Sequence, residues 1–227
     1  MGGVNILAID TSTDYLSLAI LKDGTLAAKF HKKADRRHSI LLVPTLNKLL
    51  KKTALKIKNI DCFAISVGPG SFTGLRIGVT VVKGLAYALK KRIVAVPTLD
   101  VIADNAKNFK GVICPVLDAR KNKVYACIYK SDGKTVKKIS KYLLLPLDEL
   151  LKKLSKYDKV LFLGDTIPTP GVENHSHPRC GNKVNWHPKA EVVARLGAEY
   201  YEDKKFVRAE DLEPLYLYSH KCDITGK

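Results

Sequence analysis

Ser66–Leu89, SVGPGSFTGLRIGVTVVKGLAYAL, is the stretch whose reading decides the fold. A Gly68-Pro69-Gly70 turn releases the chain from a short apolar run, Cys62–Val67, into a long helical segment. Between Ser71 and Leu89 only Arg76 and Lys83 carry charge. A helix that apolar on nearly every face is not a surface helix with one side in water. It needs cover twice, from its own sheet and from something else. Gly74 and Gly78 lie one turn apart, and glycine admits another backbone at close range. On this segment alone two readings stay open: a central core helix, and a helix that packs on a partner subunit.

Upstream, three strands are expected in succession. Val4–Ile9 is a continuous apolar run, Tyr15–Leu21 alternates with Leu16, Leu18 and Ile20 on one face, and Thr25–Phe30 follows an Asp23-Gly24 hairpin signal. A helix is expected over 39–52, with Leu42, Leu46, Leu49 and Leu50 at helical spacing and Pro44 in its first turns. Cys62–Val67, the apolar helix and a strand at Ile93–Val96 complete the first half. Three antiparallel strands followed by strand, helix and strand is the ribonuclease-H-like order.

The second half starts in the same way. At a fixed offset of 108 residues Ile9-Asp10 falls on Leu117-Asp118, and Leu16, Leu18 and Ile20 fall on Val124, Ala126 and Ile128. An internal repeat of that length marks a duplicated two-lobe fold. The expected lobes are residues 1–103 and 104–227, the second abbreviated: helix Leu147–Leu154, strand Val160–Leu163, irregular chain from Asp165 to Trp186, helix Lys189–Tyr201 and a closing run Leu215–Tyr218.

Length permits one large domain or two small lobes with a sizeable core. The 227 residues hold 39 basic and 22 acidic side chains, a net charge of +17. That balance favours an acidic partner such as nucleic acid, or else a lysine-rich solvated surface. The chain runs straight into a strand without a basic leader, and no apolar run reaches the ~20 residues of a membrane span. The five cysteines are scattered, with Cys62, Cys114 and Cys127 inside strand-like runs. They read as reduced core residues of a cytoplasmic protein.

This organisation resembles the actin, hexokinase and Hsp70 (ASKHA) superfamily of α/β proteins, whose two ribonuclease-H-like lobes clamp ATP. Each lobe's first hairpin there cradles phosphate, usually through an acid, one residue, then glycine. Here the turns read Asp10-Thr11-Ser12 and Asp118-Ala119-Arg120. The first offers hydroxyls to phosphate as a degenerate turn, whereas Arg120 fills the place of a small residue in the second. No cofactor is expected.

ILAIDTS, HSILLVPTL from His38 to Leu46, SVGPGSFTGLRIGV, VPTLDVIA, DARKNKVYA and LEPLYL together resemble the TsaB (YeaZ) family across nearly the whole chain. That family is similar in sequence to TsaD, which places threonylcarbamoyl on the adenosine beside the tRNA anticodon. TsaD carries a metal-binding His-x-x-x-His pair where this chain has Thr98-Leu99-Asp100-Val101-Ile102. Neither Thr98 nor Ile102 is a metal ligand. The resemblance implies a non-catalytic subunit that pairs with a TsaD-like catalytic subunit, with a TsaE-like ATPase attached and tRNA reached indirectly. Its partner surface would comprise His38, Leu41, Leu42 and Thr45, then Ser71, Phe72, Gly74, Leu75, Arg76 and Gly78. Without its partner the chain would form a homodimer.

Other groupings are weaker. His175, His177, Cys180 and His187 match no common zinc spacing, so no metal is expected. Ser66, Ser71 and His38 lack a Gly-x-Ser-x-Gly elbow, and no Walker motif follows the Gly-Pro-Gly turn. The alternatives are a stand-alone ATP- or metal-dependent transferase and a peptidase-like enzyme.

Overall fold

The computed structural model describes residues 3–165, the backbone of 178–180, and 186–218. The first sheet contains β1 (Ile6–Asp10), β2 (Tyr15–Lys22), β3 (Thr25–Lys33), β4 (Cys62–Ser66) and β5 (Arg92–Val96) in the order β3-β2-β1-β4-β5. The first three strands pair antiparallel, and β1, β4 and β5 pair parallel. Asp23 and Gly24 take φ of 50° and 76°, the left-handed pair that a two-residue hairpin requires. Helices α1 (His38–Lys52) and α2 (Phe72–Leu89) cover one face of this sheet. Leu7, Ile9, Leu16, Leu18 and Ile20 meet Leu42, Leu46, Val79 and Val82 there. The expected α/β order is present.

A seven-residue helix α3 (Thr98–Asp104) joins the sheets. The second sheet is built from β6 (Lys110–Asp118), β7 (Lys123–Ala126), β8 (Tyr129–Asp132), β9 (Val136–Lys138), β10 (Leu143–Pro146), β11 (Val160–Leu163) and β12 (Pro178–Cys180), with α4 (Leu147–Leu154) packed on one face. Strands β7 and β8 pair with opposite halves of β6, so they are one strand interrupted at Cys127 and Ile128. Strands β9 and β10 break in step with them. At the break the Ser140 hydroxyl accepts from Ile128 N at 2.9 Å, replacing a ladder carbonyl. The path β10-β7-β6-β11-β12 then has the same antiparallel and parallel pattern as the first sheet.

The two hairpins match, one residue out of the gapless overlay. Ile9 pairs with Leu18 in the first, and Val116 with Ala126 in the second. Both pairs face the helix that follows the hairpin. Asp118 therefore takes the place of Thr11, not of Asp10.

The chain closes on the sheet with which it began. Helix α5 (Ala190–Glu202) lies across the other face of the first sheet, where Ala190, Val193 and Ala194 pack on Ile6, Ala8, Ala19, Cys62, Ala64 and Val94. A Cβ at Gly197 would stand 2.7 Å from Ala64 Cβ, so glycine sets this close approach. Residues 203–216 continue over the same lobe: Val207 bridges Ile93, Leu212 enters the core beside α2, and Leu215 N donates to Val67 O at 2.7 Å, whereas Tyr218 OH donates to Ala119 O at 2.8 Å in the second lobe. The expected assignment of 104–227 to one lobe is corrected accordingly, because residues 190–216 pack with the first sheet. The closing run Leu215–Tyr218 forms no strand.

Among the described residues α2 alone has the length and apolarity of a membrane span. Its cover comes from the sheet on one side and from the chain's own end on a flank. There Arg76 Nε donates to Tyr216 OH at 3.2 Å, Lys83 Nζ donates to Glu210 O at 3.1 Å, and the Phe72 and Tyr216 rings lie 5.5 Å apart.

Candidate functional site

Asp10, Thr11 and Ser12 end β1 in a turn with almost no solvent contact. Ser12 N and Oγ both donate to Asp10 Oδ1 at 3.0 Å. Burial pushes the Asp10 carboxyl up to about 6, with Ser66 and Ser12 pulling against it. The start of α2 seals the turn. Ser71 N donates to Ser12 O at 2.7 Å, and a Cβ at Gly70 or Gly74 would collide with the carbonyl oxygens of Ser12 or Thr11. At Gly78 it would meet the Thr11 hydroxyl. The hydroxyls expected to face phosphate thus point into the chain's own core. The second turn is open but crowded: Arg120, Lys121 and Asn122 run through left-handed φ of 63°, 51° and 58°, and Arg120 pairs with Asp118 at 3.4 Å.

The same contacts correct the reading of the glycines. Gly74 admits the Thr11 backbone of the same chain, and Gly78 makes room for the Thr11 hydroxyl and the Ile65 side chain. Leu42, Thr45 and Leu75 are likewise buried inward, and His38 Nε2 lies 3.2 Å from Tyr15 O. Leu41 is half-buried, while Ser71, Phe72 and Arg76 are exposed. Ser71 caps α2, its Oγ accepting from Gly74 N at 3.3 Å, and the Arg76 guanidinium sits 3.8 Å over the Phe72 ring. The outward faces carry residues that sequence reasoning left out: Ile40 (68 % exposed) and Val43 on α1, and Thr80, Gly84 and Tyr87 (80 % exposed) on α2. Gly84 has nothing within 4 Å of a built Cβ, so packing inside the chain gives no reason for glycine there. The signal was helical phase. Positions 73, 76, 80, 84 and 87 run opposite the buried series 75, 79, 82 and 86.

The Thr98–Ile102 positions are filled by structural contacts. Thr98 closes the Gly-Pro-Gly turn: its Oγ1 accepts from Gly68 N at 3.1 Å, and its N donates to Gly68 O at 2.8 Å. Ile102 is buried with Leu99, Ala103 and Leu117. Asp100 Oδ1 accepts from Tyr129 OH at 2.5 Å and from Tyr142 OH at 2.8 Å, which ties α3 to the second sheet. Among the described residues no three His, Cys, Asp or Glu side chains gather in a ligand geometry. Of the loop grouping, only the His187 side chain lies within the described residues. Its ring stacks 4.1 Å from that of Tyr15, whose ring also stacks on His31. His175, His177 and the Cys180 side chain lie outside them. Ser66, Ser71 and His38 do not form a catalytic group: Ser66 is buried in β4, Ser71 is a helix cap, and His38 is held against β2.

Two sheets of matching strand order, each opening on a hairpin that ends in an acidic turn, define a two-lobed α/β protein of the ASKHA class. A family model described as TsaD, tRNA N6-adenosine threonylcarbamoyltransferase, matches residues 28–210. The tRNA threonylcarbamoyladenosine biosynthesis protein TsaB of Bacillus subtilis is 31% identical over 226 residues, 94% of each chain. Its namesake in Escherichia coli is 31% identical over 221 residues, again 94% of each. A solved Pseudomonas aeruginosa chain, described as similar to peptidase YeaZ, is 27% identical with a TM-score of 0.82, covering 95% of this chain and 100% of that one. The chain belongs to the TsaB (YeaZ) family.

Proposed function

We propose that this chain serves tRNA N6-threonylcarbamoyladenosine biosynthesis as a non-catalytic subunit that assembles with and activates a TsaD-like catalytic subunit. The observation that carries this reading is the α3 position. At the positions where the resemblance to TsaD implies a metal-binding histidine pair, Thr98 holds a turn and Ile102 fills the core. The sealed Asp10-Thr11-Ser12 turn supports it, since nucleotide phosphate has no open cradle there. The contact surface is the outward side of α1 and α2, where Ile40, Val43, Phe72 and Tyr87 leave apolar area exposed. Without the partner, the same face pairs two copies of the chain. A TsaE-like ATPase joins the assembly, and tRNA is held chiefly by the catalytic subunit. The free buried thiols of Cys62, Cys114 and Cys127 favour a reducing, cytoplasmic setting.

Reconstitution tests this. The chain alone should form no modified adenosine, whereas addition of a TsaD-like subunit and the ATPase should form it, with co-elution of the two related chains. Transfer by the isolated chain, lost on Asp10→Asn, would instead make it an enzyme.

A further inference from the structure

Strand β9 is an edge strand, paired with β8 alone. The stretch from Tyr129 to Tyr142, YKSDGKTVKKISKY, carries Lys130, Lys134, Lys137, Lys138 and Lys141 against one carboxylate, Asp132. Lys130 and Lys137 stand directly opposite each other, so their side chains leave the same face of the hairpin. Lys110 shares that face, two positions along β6 from Val112, which pairs with Lys130. Its stem runs beneath the turn, where a Cβ on Gly133 would meet Lys110 Cγ at 3.0 Å and Cε at 3.1 Å.

Asp132 stands opposite Lys110, but its oxygens serve the turn. Lys134 N and Thr135 N donate to Oδ1 at 2.8 Å, and Thr135 Oγ1 donates to Oδ2 at 3.0 Å, holding the carboxyl at about 2. Among the described residues no carboxylate pairs with Lys110, Lys130, Lys134 or Lys137, whereas Lys29, Lys91 and Lys153 each have one. Like charges facing each other across a ladder weaken it. A single lysine is enough to guard an edge against another strand. A facing pair, with a third lysine on the same face and one carboxylate whose oxygens are taken up by the turn, goes beyond that need.

We infer that the face formed by Lys110, Lys130 and Lys137, with Lys134 at the hairpin tip, binds the phosphodiester backbone of RNA. The chemistry is that of point charges on flexible stems, which follow successive phosphates without reading bases. The reading rests on the function proposed above for its choice of tRNA, and it adds a direct substrate contact outside the α1–α2 surface.

The test uses the full chain, alone and with a TsaD-like subunit, and an unmodified tRNA transcript titrated at several salt concentrations. Lys130→Ala/Lys137→Ala should weaken binding and reduce the slope of log K against log salt by about 1 for each lysine removed. Lys137→Glu, the same change in net charge, should weaken binding to a similar extent while leaving the melting temperature unchanged or higher, because it turns a repulsive pair into an attractive one. Lys22→Ala/Lys32→Ala, on exposed positions of the first sheet, should leave the slope nearly unchanged. No tRNA binding by the wild type, unchanged affinity and slope in both hairpin variants, equal loss in the control pair, or stronger binding of polyglutamate than of tRNA would each overturn the inference. Co-elution of the variants with the catalytic subunit, measured in parallel, separates that failure from failure of the proposed function.

Discussion

Gly74 and Gly84 lie on one helix and serve opposite environments. At Gly74 a methyl group would meet the Thr11 carbonyl oxygen, while at Gly84 it would meet open space. Gly74→Ala should therefore destabilise the isolated chain by about 1–3 kcal/mol, the range for overpacking. Gly84→Ala should stabilise it by up to about 1 kcal/mol through helix propensity. Denaturant unfolding of both variants reads the difference, and a stability loss at Gly84 would mean that the helix packs differently. Asp10 allows a second test. Its folded carboxyl titrates at about 6, against 3.8 as an ordinary aspartate. At low pH the group is neutral in both states. As pH rises through that window the unfolded chain ionises first, so the folded state loses stability until both are charged. For a fully buried group this amounts to about 3 kcal/mol above pH 6, less whatever relaxation recovers. Asp10→Asn should flatten stability between pH 4 and 6 and raise it at pH 7; an unaltered pH profile would refute the assignment.

At the scale of elements, what was legible in the sequence was what repeats. Leu42, Leu46, Leu49 and Leu50 fixed α1 from spacing alone, and the observed helix begins only one residue earlier than expected. Pro44 is accommodated inside it. Ser71 and the Gly-Pro-Gly turn marked the start of α2 within a residue. Short elements stabilised by distant partners were not legible. Helix α3 is seven residues long, held by Thr98 against Gly68 and by Asp100 against Tyr129 and Tyr142, contacts that local pattern does not contain. Strands β9 and β10 were missed because the interruption at Ser140 breaks any alternation. The site was half legible. The sequence singled out α1 and α2, but their phase relative to the sheet decides which residues face outward, and that needed the packing. Ile40→Asp and Tyr87→Ala should consequently weaken association with a TsaD-like subunit, or self-association, while leaving the melting temperature nearly unaltered. Leu42→Asp should instead unfold the lobe, since an unpaired charge in a core destabilises by several kcal/mol. Size-exclusion chromatography beside thermal melts distinguishes them, and tight binding by both surface variants would rule out the α1–α2 contact.

Over the whole molecule, the return of α5 to the first sheet makes folding of the two ends interdependent. Strand β1 reads as an unbroken apolar run because it is buried on both faces, by α1 and α2 on one side and by α5 on the other. A fragment of residues 1–103 would retain the first cover and lose the second, leaving Ile6, Ala8, Ala19, Leu21, Cys62, Ala64 and Val94 on a bare sheet face. Burial at roughly 25 cal/mol per Å² makes that loss comparable with the net stability of an ordinary domain. The fragment should aggregate or unfold without cooperativity. Joining residues 186–218 to its N-terminus through a flexible linker should restore a cooperative melt, since α5 packs directly on β1 and β2. In that fusion Val193→Asp should abolish the melt again, whereas Arg195→Ala should not, because the fusion lacks Asp104 and the remaining partner of Arg195, Glu199, is exposed. If residues 1–103 melt cooperatively by themselves, the first lobe is autonomous and α5 is an accessory. Partner contact on α1 and α2 would then need no support from the chain's end. If they do not, loss of the C-terminal helix should remove the partner surface as well, although no residue of α5 touches it.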